Sequence, residues 1–146
     1  MSTPLPLAGD YRGPQPVIHP ETELFWRGVG AGELRLQQCS ACRIVRFPVA
    51  PVCWSCLSGD AEWVAVATRG SVAASVTVHR ATGDPRWGPQ APFVTAQVDM
   101  DGGVRLPGRV VDQQEPLPRG TRVRAAYLDA GDGIGVLCFL TMEESA

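Results

Sequence analysis

The chain has no lysine. All 13 basic residues are arginine, set against 15 carboxylates for a formal net charge of −2. Nonspecific nucleic-acid binding works by neutralising phosphates and normally shows as a basic domain, so this balance argues against that class of partner. Histidine is also scarce, with His19 and His79 alone, and neither belongs to a motif with a serine or free cysteine. A nucleophile beside a base is therefore missing from the sequence, which argues against catalysis by this chain on its own. There is no run of about 18 apolar residues and no charged segment followed by an apolar stretch near Met1. The expectation is a cytoplasmic protein that does not enter a membrane.

Glycine and proline, by contrast, are plentiful at 16 and 13 residues, and they interrupt the chain too often for long helices. A chain of 146 residues holds one ordinary domain, or a small module joined to one compact core. The module is marked by Cys39-Ser40-Ala41-Cys42, ten intervening residues, then Cys53-Trp54-Ser55-Cys56. Two Cys-x-x-Cys pairs at this separation can close a tetrahedral site around one structural zinc ion, and four thiolates leave it no position for water or substrate. In a reducing compartment such pairs point to a metal rather than to disulfides. Cys138 lies in the apolar run Ile134 to Leu140 and reads as a small buried hydrophobe.

Taken in order, residues 1–16 lack periodicity and read as an extended arm. Pro20, Glu21 and Glu23 then predict the start of a short helix, with Leu24, Phe25 and Val29 on one face and Trp26 beside it. Two or three turns cannot stand alone in water, so Phe25 and Trp26 must pack on their own domain or dock on a partner. Leu34 to Gln38, Val45 to Pro48 and Glu62 to Val66 flank the cysteine pairs as short strands. Beyond Thr68 the pattern is β. Val72, Ala74, Val76 and Val78 alternate with polar or small residues, as do Val94, Ala96, Val98 and Met100. Asp101-Gly102-Gly103 predicts a hairpin turn. Val104 to Val111 follows, with Pro107 and Gly108 implying an edge position or a bulge, and then Thr121 to Leu128 and Ile134 to Leu140. The fold class expected is mainly β: an arm and short helix over 1–33, a rubredoxin-like zinc ribbon over 34–67, and a five-stranded OB-fold barrel over 68–146. Ribbons and OB barrels also bind single-stranded nucleic acid, but the strands offer few stacking aromatics, mainly Phe93, Tyr127 and Phe139.

In this order the landmarks resemble the DUF35 family, small proteins associated with acyl-CoA enzymes and often encoded beside thiolase-like partners. The likeness spans about residues 20–140. It is carried by Phe25-Trp26, Leu36-Gln37-Gln38-Cys39-Ser40-Ala41-Cys42, Arg46-Phe47-Pro48, Cys53-Trp54-Ser55-Cys56, Glu62-Trp63, Arg69-Gly70-Ser71-Val72, Val78-His79-Arg80 and Pro92-Phe93-Val94. Where the family commonly has glycine after a cysteine pair, this chain has Arg43 and Leu57, and Trp54 replaces a proline. The resemblance implies an accessory subunit that is not itself catalytic, bound to a thiolase-like or lipid-transfer-protein-like enzyme acting on acyl-CoA. Retro-aldol cleavage of steroid side chains is among the reactions of such partners. A free-standing acyl-CoA-binding protein and a single-stranded nucleic-acid module are the alternatives. Candidate contacts to coenzyme A are Arg46, Arg69, His79, Arg80, Arg86 and Trp87, because guanidinium groups suit phosphates and an aromatic can cover an adenine or acyl chain; a solvated surface is the plainer explanation. Phe25 and Trp26 are the candidate docking residues.

Overall fold

The computed structural model describes residues 3–142. Its elements run β1 (Leu7–Asp10), α1 (Glu23–Gly30), β2 (Arg35–Cys39), β3 (Val45–Arg46), β4 (Ala61–Ala65), β5 (Arg69–Val78), β6 (Phe93–Met100), β7 (Arg105–Val110), β8 (Arg122–Gly131) and β9 (Ile134–Thr141). A three-stranded sheet in the order β3-β2-β4 forms the ribbon. A six-stranded sheet, β1-β8-β5-β6-β7-β9, closes on itself through a further β8–β9 pairing, so that β5 to β9 make an OB-like barrel.

Period-two patterning places the barrel core as the sequence leads one to expect along β6, where Val94, Ala96, Val98 and Met100 are buried. They meet Leu106, Val110, Val123 and Phe139, each fully buried. Pro107 and Gly108 do not put β7 at an edge. The strand pairs with β6 along its length and with β9 in parallel at Arg109 and Val110. Gly108 answers a different need: a Cβ there would stand 2.6 Å from the Phe139 ring, so only glycine lets the ring fill the core.

Two further departures, and the placement of α1 that the sequence leaves open, have physical causes. The register of β5 against β6 shifts between Val72 and Ala74, a bulge that reverses the alternation beyond it. Val72 is buried while Val76, expected on the same face, is 59% exposed. Residues 7–10 of the arm form β1, which pairs in parallel with β8 through Leu7, Gly9 and Asp10, and Leu5 is buried with its N–H on the Gly32 carbonyl at 2.7 Å. Finally, α1 packs on its own domain. Phe25 and Val29 are buried against the barrel core, and Phe25 meets Phe47 of the ribbon at 5.6 Å between ring centroids. No helix among the described residues is long and apolar enough to cross a membrane.

Candidate metal centre and neighbouring groove

The ribbon strands deliver the cysteines. Cys39 ends β2, where it opposes Ala61 of β4, and is buried; Cys53 is buried, Cys42 half-buried and Cys56 exposed. All four Sγ atoms lie within 4.8 Å of one another, with Cys39 to Cys56 and Cys42 to Cys53 each at 3.5 Å. A tetrahedron with Zn–S bonds of about 2.3 Å has edges of about 3.8 Å, so the set fits one zinc ion.

Backbone N–H groups complete the fit. The Cys42 N–H points at Cys39 Sγ at 3.5 Å and the Ser55 N–H at Cys53 Sγ at 3.4 Å. Each knuckle is closed by an equivalent turn, Arg43 N–H to Cys39 O and Leu57 N–H to Cys53 O, both at 2.9 Å. These turns require a left-handed residue, and Arg43 and Leu57 take φ of 70° and 67°. The N–H of Cys42 is the main cause that lowers the Cys39 thiol to about 6, and the N–H of Cys56 lowers Cys53. Cys42 moves the other way: the Ile44 N–H favours its thiolate, but burial and the thiols of Cys53, Cys39 and Cys56 outweigh it and push it up to about 12. Four adjacent thiolates without a cation oppose one another, and a divalent ion removes that conflict. Closed coordination makes this a structural zinc centre. The second knuckle also presents two exposed apolar side chains, Trp54 at 72% and Leu57 at 74%.

The remaining sequence candidates are dispersed. Arg46 is buried inside the ribbon, where Nε donates to Gln37 Oε1 at 3.1 Å and Nη2 to the Ala50 carbonyl at 3.0 Å. Arg69 begins β5, while His79 and Arg80 lie exposed just past its other end. His79 lines an open depression of about 600 Å³ with Thr77, Gln114 and Glu115. Arg86 is paired with Asp84, its Nε donating to Oδ1 at 2.8 Å; the guanidinium holds the Asp84 carboxyl down at about 2.

Trp87 lines a second and more apolar cavity. It stacks on Phe93 at 5.7 Å and receives Tyr11 edge-on at 6.1 Å. These rings wall a groove of about 640 Å³ that also reaches Trp26, Val76 and Arg109. Arg109 and Tyr11 were not singled out by sequence reasoning. The outward position of Arg109 in the alternation of β7 was the available signal; Tyr11 stood in an arm with no periodicity and gave none.

Ribbon, barrel and metal centre together define a zinc-ribbon protein built onto an OB fold. Two family models match in tandem, the ChsH2 rubredoxin-like zinc ribbon domain over residues 26–62 and the ChsH2 C-terminal OB-fold domain over residues 63–128. The chain is 30% identical over 103 residues to the DUF35 domain-containing scaffold protein of Methanocaldococcus jannaschii, covering 66% of this chain and 72% of that one. It belongs to the DUF35 family. It is also 37% identical over 113 residues to the 3-oxo-4,17-pregnadiene-20-carboxyl-CoA hydratase alpha subunit of Mycobacterium tuberculosis, over 77% of this chain but only 35% of that relative's length. Among solved structures it resembles a chain of the Ltp2-ChsH2(DUF35) aldolase, with a TM-score of 0.72 and 25% identity, covering 87% of this chain and 98% of that one.

Proposed function

We propose that this chain is a non-catalytic accessory subunit of a thiolase-like, lipid-transfer-protein-like enzyme that acts on acyl-CoA substrates; in its finer form, that enzyme is a retro-aldolase of steroid side-chain degradation. The observation that carries this reading is the likeness to nearly the whole of a chain in an aldolase that joins ChsH2 to a second component, Ltp2. The chemistry of the chain agrees. Its zinc centre is closed to substrate, and its two histidines have no nucleophile in sequence motif with them, so the reacting groups belong to the partner. The chain would supply contact area, stability and part of the coenzyme A entrance.

Docking would use surfaces that remain exposed. Of the two candidate residues on α1, Phe25 is committed to the internal core and Trp26 stays partly open. Trp54 and Leu57 on the second knuckle add apolar area of the kind that anchors subunit contacts. Of the candidates for coenzyme A, Arg46 is buried, Arg69, His79, Arg80 and Arg86 are exposed, and Trp87 is half-buried in the groove wall.

Co-expression with the thiolase-like protein encoded nearby, size-exclusion chromatography and an acyl-CoA cleavage assay with and without this chain test the reading. A stable complex whose activity collapses without the chain is expected. A partner that is soluble and fully active alone would overturn it.

A further inference from the structure

Arg109 occupies an unusual electrostatic position at the groove. Its guanidinium lies 4.9 Å over the Phe93 ring and Nη1 donates to Gln90 Oε1 at 2.8 Å, but Nε is buried without an acceptor. The ion pairs of the described residues engage Arg27, Arg35, Arg86, Arg105 and Arg122; none engages Arg109. The groove is also apolar by construction. The β5 bulge turns Val76 outward to line it, and the Tyr11–Trp87–Phe93 stack forms its aromatic wall. Its volume of about 640 Å³ lies within the range of about 300–1,000 Å³ usual for small-molecule sites.

We propose that this groove binds an amphipathic monoanion, a carboxylate attached to a bulky apolar body. The carboxylate would sit against the Arg109 guanidinium and the body along Trp87, Phe93 and Val76. Charge complementarity selects this class. A half-buried cation without a counter-charge favours one anionic group and repels a cationic one. A polyphosphate would call for several free cations, yet the neighbouring Arg86 is held by Asp84. The proposal is independent of any partner subunit.

The test is two-dimensional NMR on the zinc-loaded, ¹⁵N-labelled full chain, following the Arg109 Nε–H and the Trp87 indole N–H. Dodecanoate, dodecanol and dodecyltrimethylammonium would each be titrated below the onset of micelles. Saturable shifts of both signals with dodecanoate are expected, with affinity for the alcohol lower by about tenfold, as loss of a hydrogen bond to a charged group implies, and none for the cation. Arg109→Gln should lower dodecanoate affinity by about tenfold and leave dodecanol binding within about twofold. Trp87→Ala should weaken both ligands; this variant leaves the barrel strands untouched and tests the site even if the first fails to fold. Equal affinity for acid and alcohol, or dodecanoate binding unaffected by Arg109→Gln in folded protein, would overturn the proposal. So would the absence of saturable dodecanoate binding by the folded chain.

Discussion

Gly30 at the end of α1 and Gly135 in β9 lie backbone against backbone: a Cβ on Gly135 would stand 2.6 Å from Gly30 N and 2.7 Å from its Cα. A Cβ on Gly30 would in turn overlap the Gly133 carbonyl. This contact brings a two-turn helix close enough to the barrel to bury Phe25 and Val29.

Gly135→Ala should therefore lower stability by about 1–3 kcal/mol, the usual cost of overpacking where backbone has to move. Gly88, which has no neighbour within 4 Å of its added Cβ and no positive φ, is the control, and Gly88→Ala should be close to neutral. Thermal melts of the two variants check the contrast. Equal midpoints would show that the helix tolerates displacement.

Replacing a metal ligand should have a different signature. One equivalent of zinc per chain is expected, and Cys53→Ser should abolish stoichiometric binding. Much of the ribbon's folding free energy, on the order of 10 kcal/mol, would go with it. Metal analysis with amide exchange across residues 35–65 reads both effects. Freshly prepared protein holding less than about half an equivalent would sink the assignment.

The knuckle residues invite a stabilising change. Arg43 and Leu57 hold left-handed conformations that glycine adopts freely. Relief of strain of about 1–2 kcal/mol per residue, less an entropy loss of about 0.5–1 kcal/mol, leaves a gain of about 0–1.5 kcal/mol for Leu57→Gly. Leu57 is largely exposed, so little packing is lost. Competition with a chromophoric chelator should show slower zinc release; faster release would mean that the leucine side chain contributes contacts of its own.

Burial pushes the Cys138 thiol up to about 12, with the nearby Arg109 only partly opposing it. A raised pKa favours the folded protein's neutral thiol, so nothing is lost below the ordinary value of 9. Between 9 and 12 the unfolded chain ionises first, and stability should fall by about 1.4 kcal/mol per pH unit. Denaturant melts from pH 8 to 11 should show this slope, and Cys138→Ala should remove its share. An unchanged slope in the variant would assign the alkaline loss to other groups.

Much of this architecture is legible in the sequence because it rests on local signals. Period-two alternation marks β6, the Asp101-Gly102-Gly103 turn leads into β7, and two Cys-x-x-Cys pairs mark the metal centre. The less legible features depend on relations between distant residues. Val76 turns outward because a bulge near Val72 shifts the register against β6, and alternation within β5 carries no trace of it. The arm becomes a strand only because the backbone of β8 offers partners to Leu7 and Asp10. Gly108 reads as a break in β7 until the Phe139 ring is seen beside it. Arg109 is illegible for a similar reason, since its lack of a counter-charge becomes visible only when Gln90 and Phe93 surround it.

The pairing of β1 with β8 also bears on solubility. β8 holds β5 along Arg122–Arg124, whereas its later residues Tyr127–Asp129 hold β1 on that flank. Without residues 7–10 those later residues would present open N–H and C=O groups, a ready template for pairing with another molecule. The first strand thus guards the barrel against self-association, and a chain trimmed up to Tyr11 would be expected to aggregate while retaining its zinc.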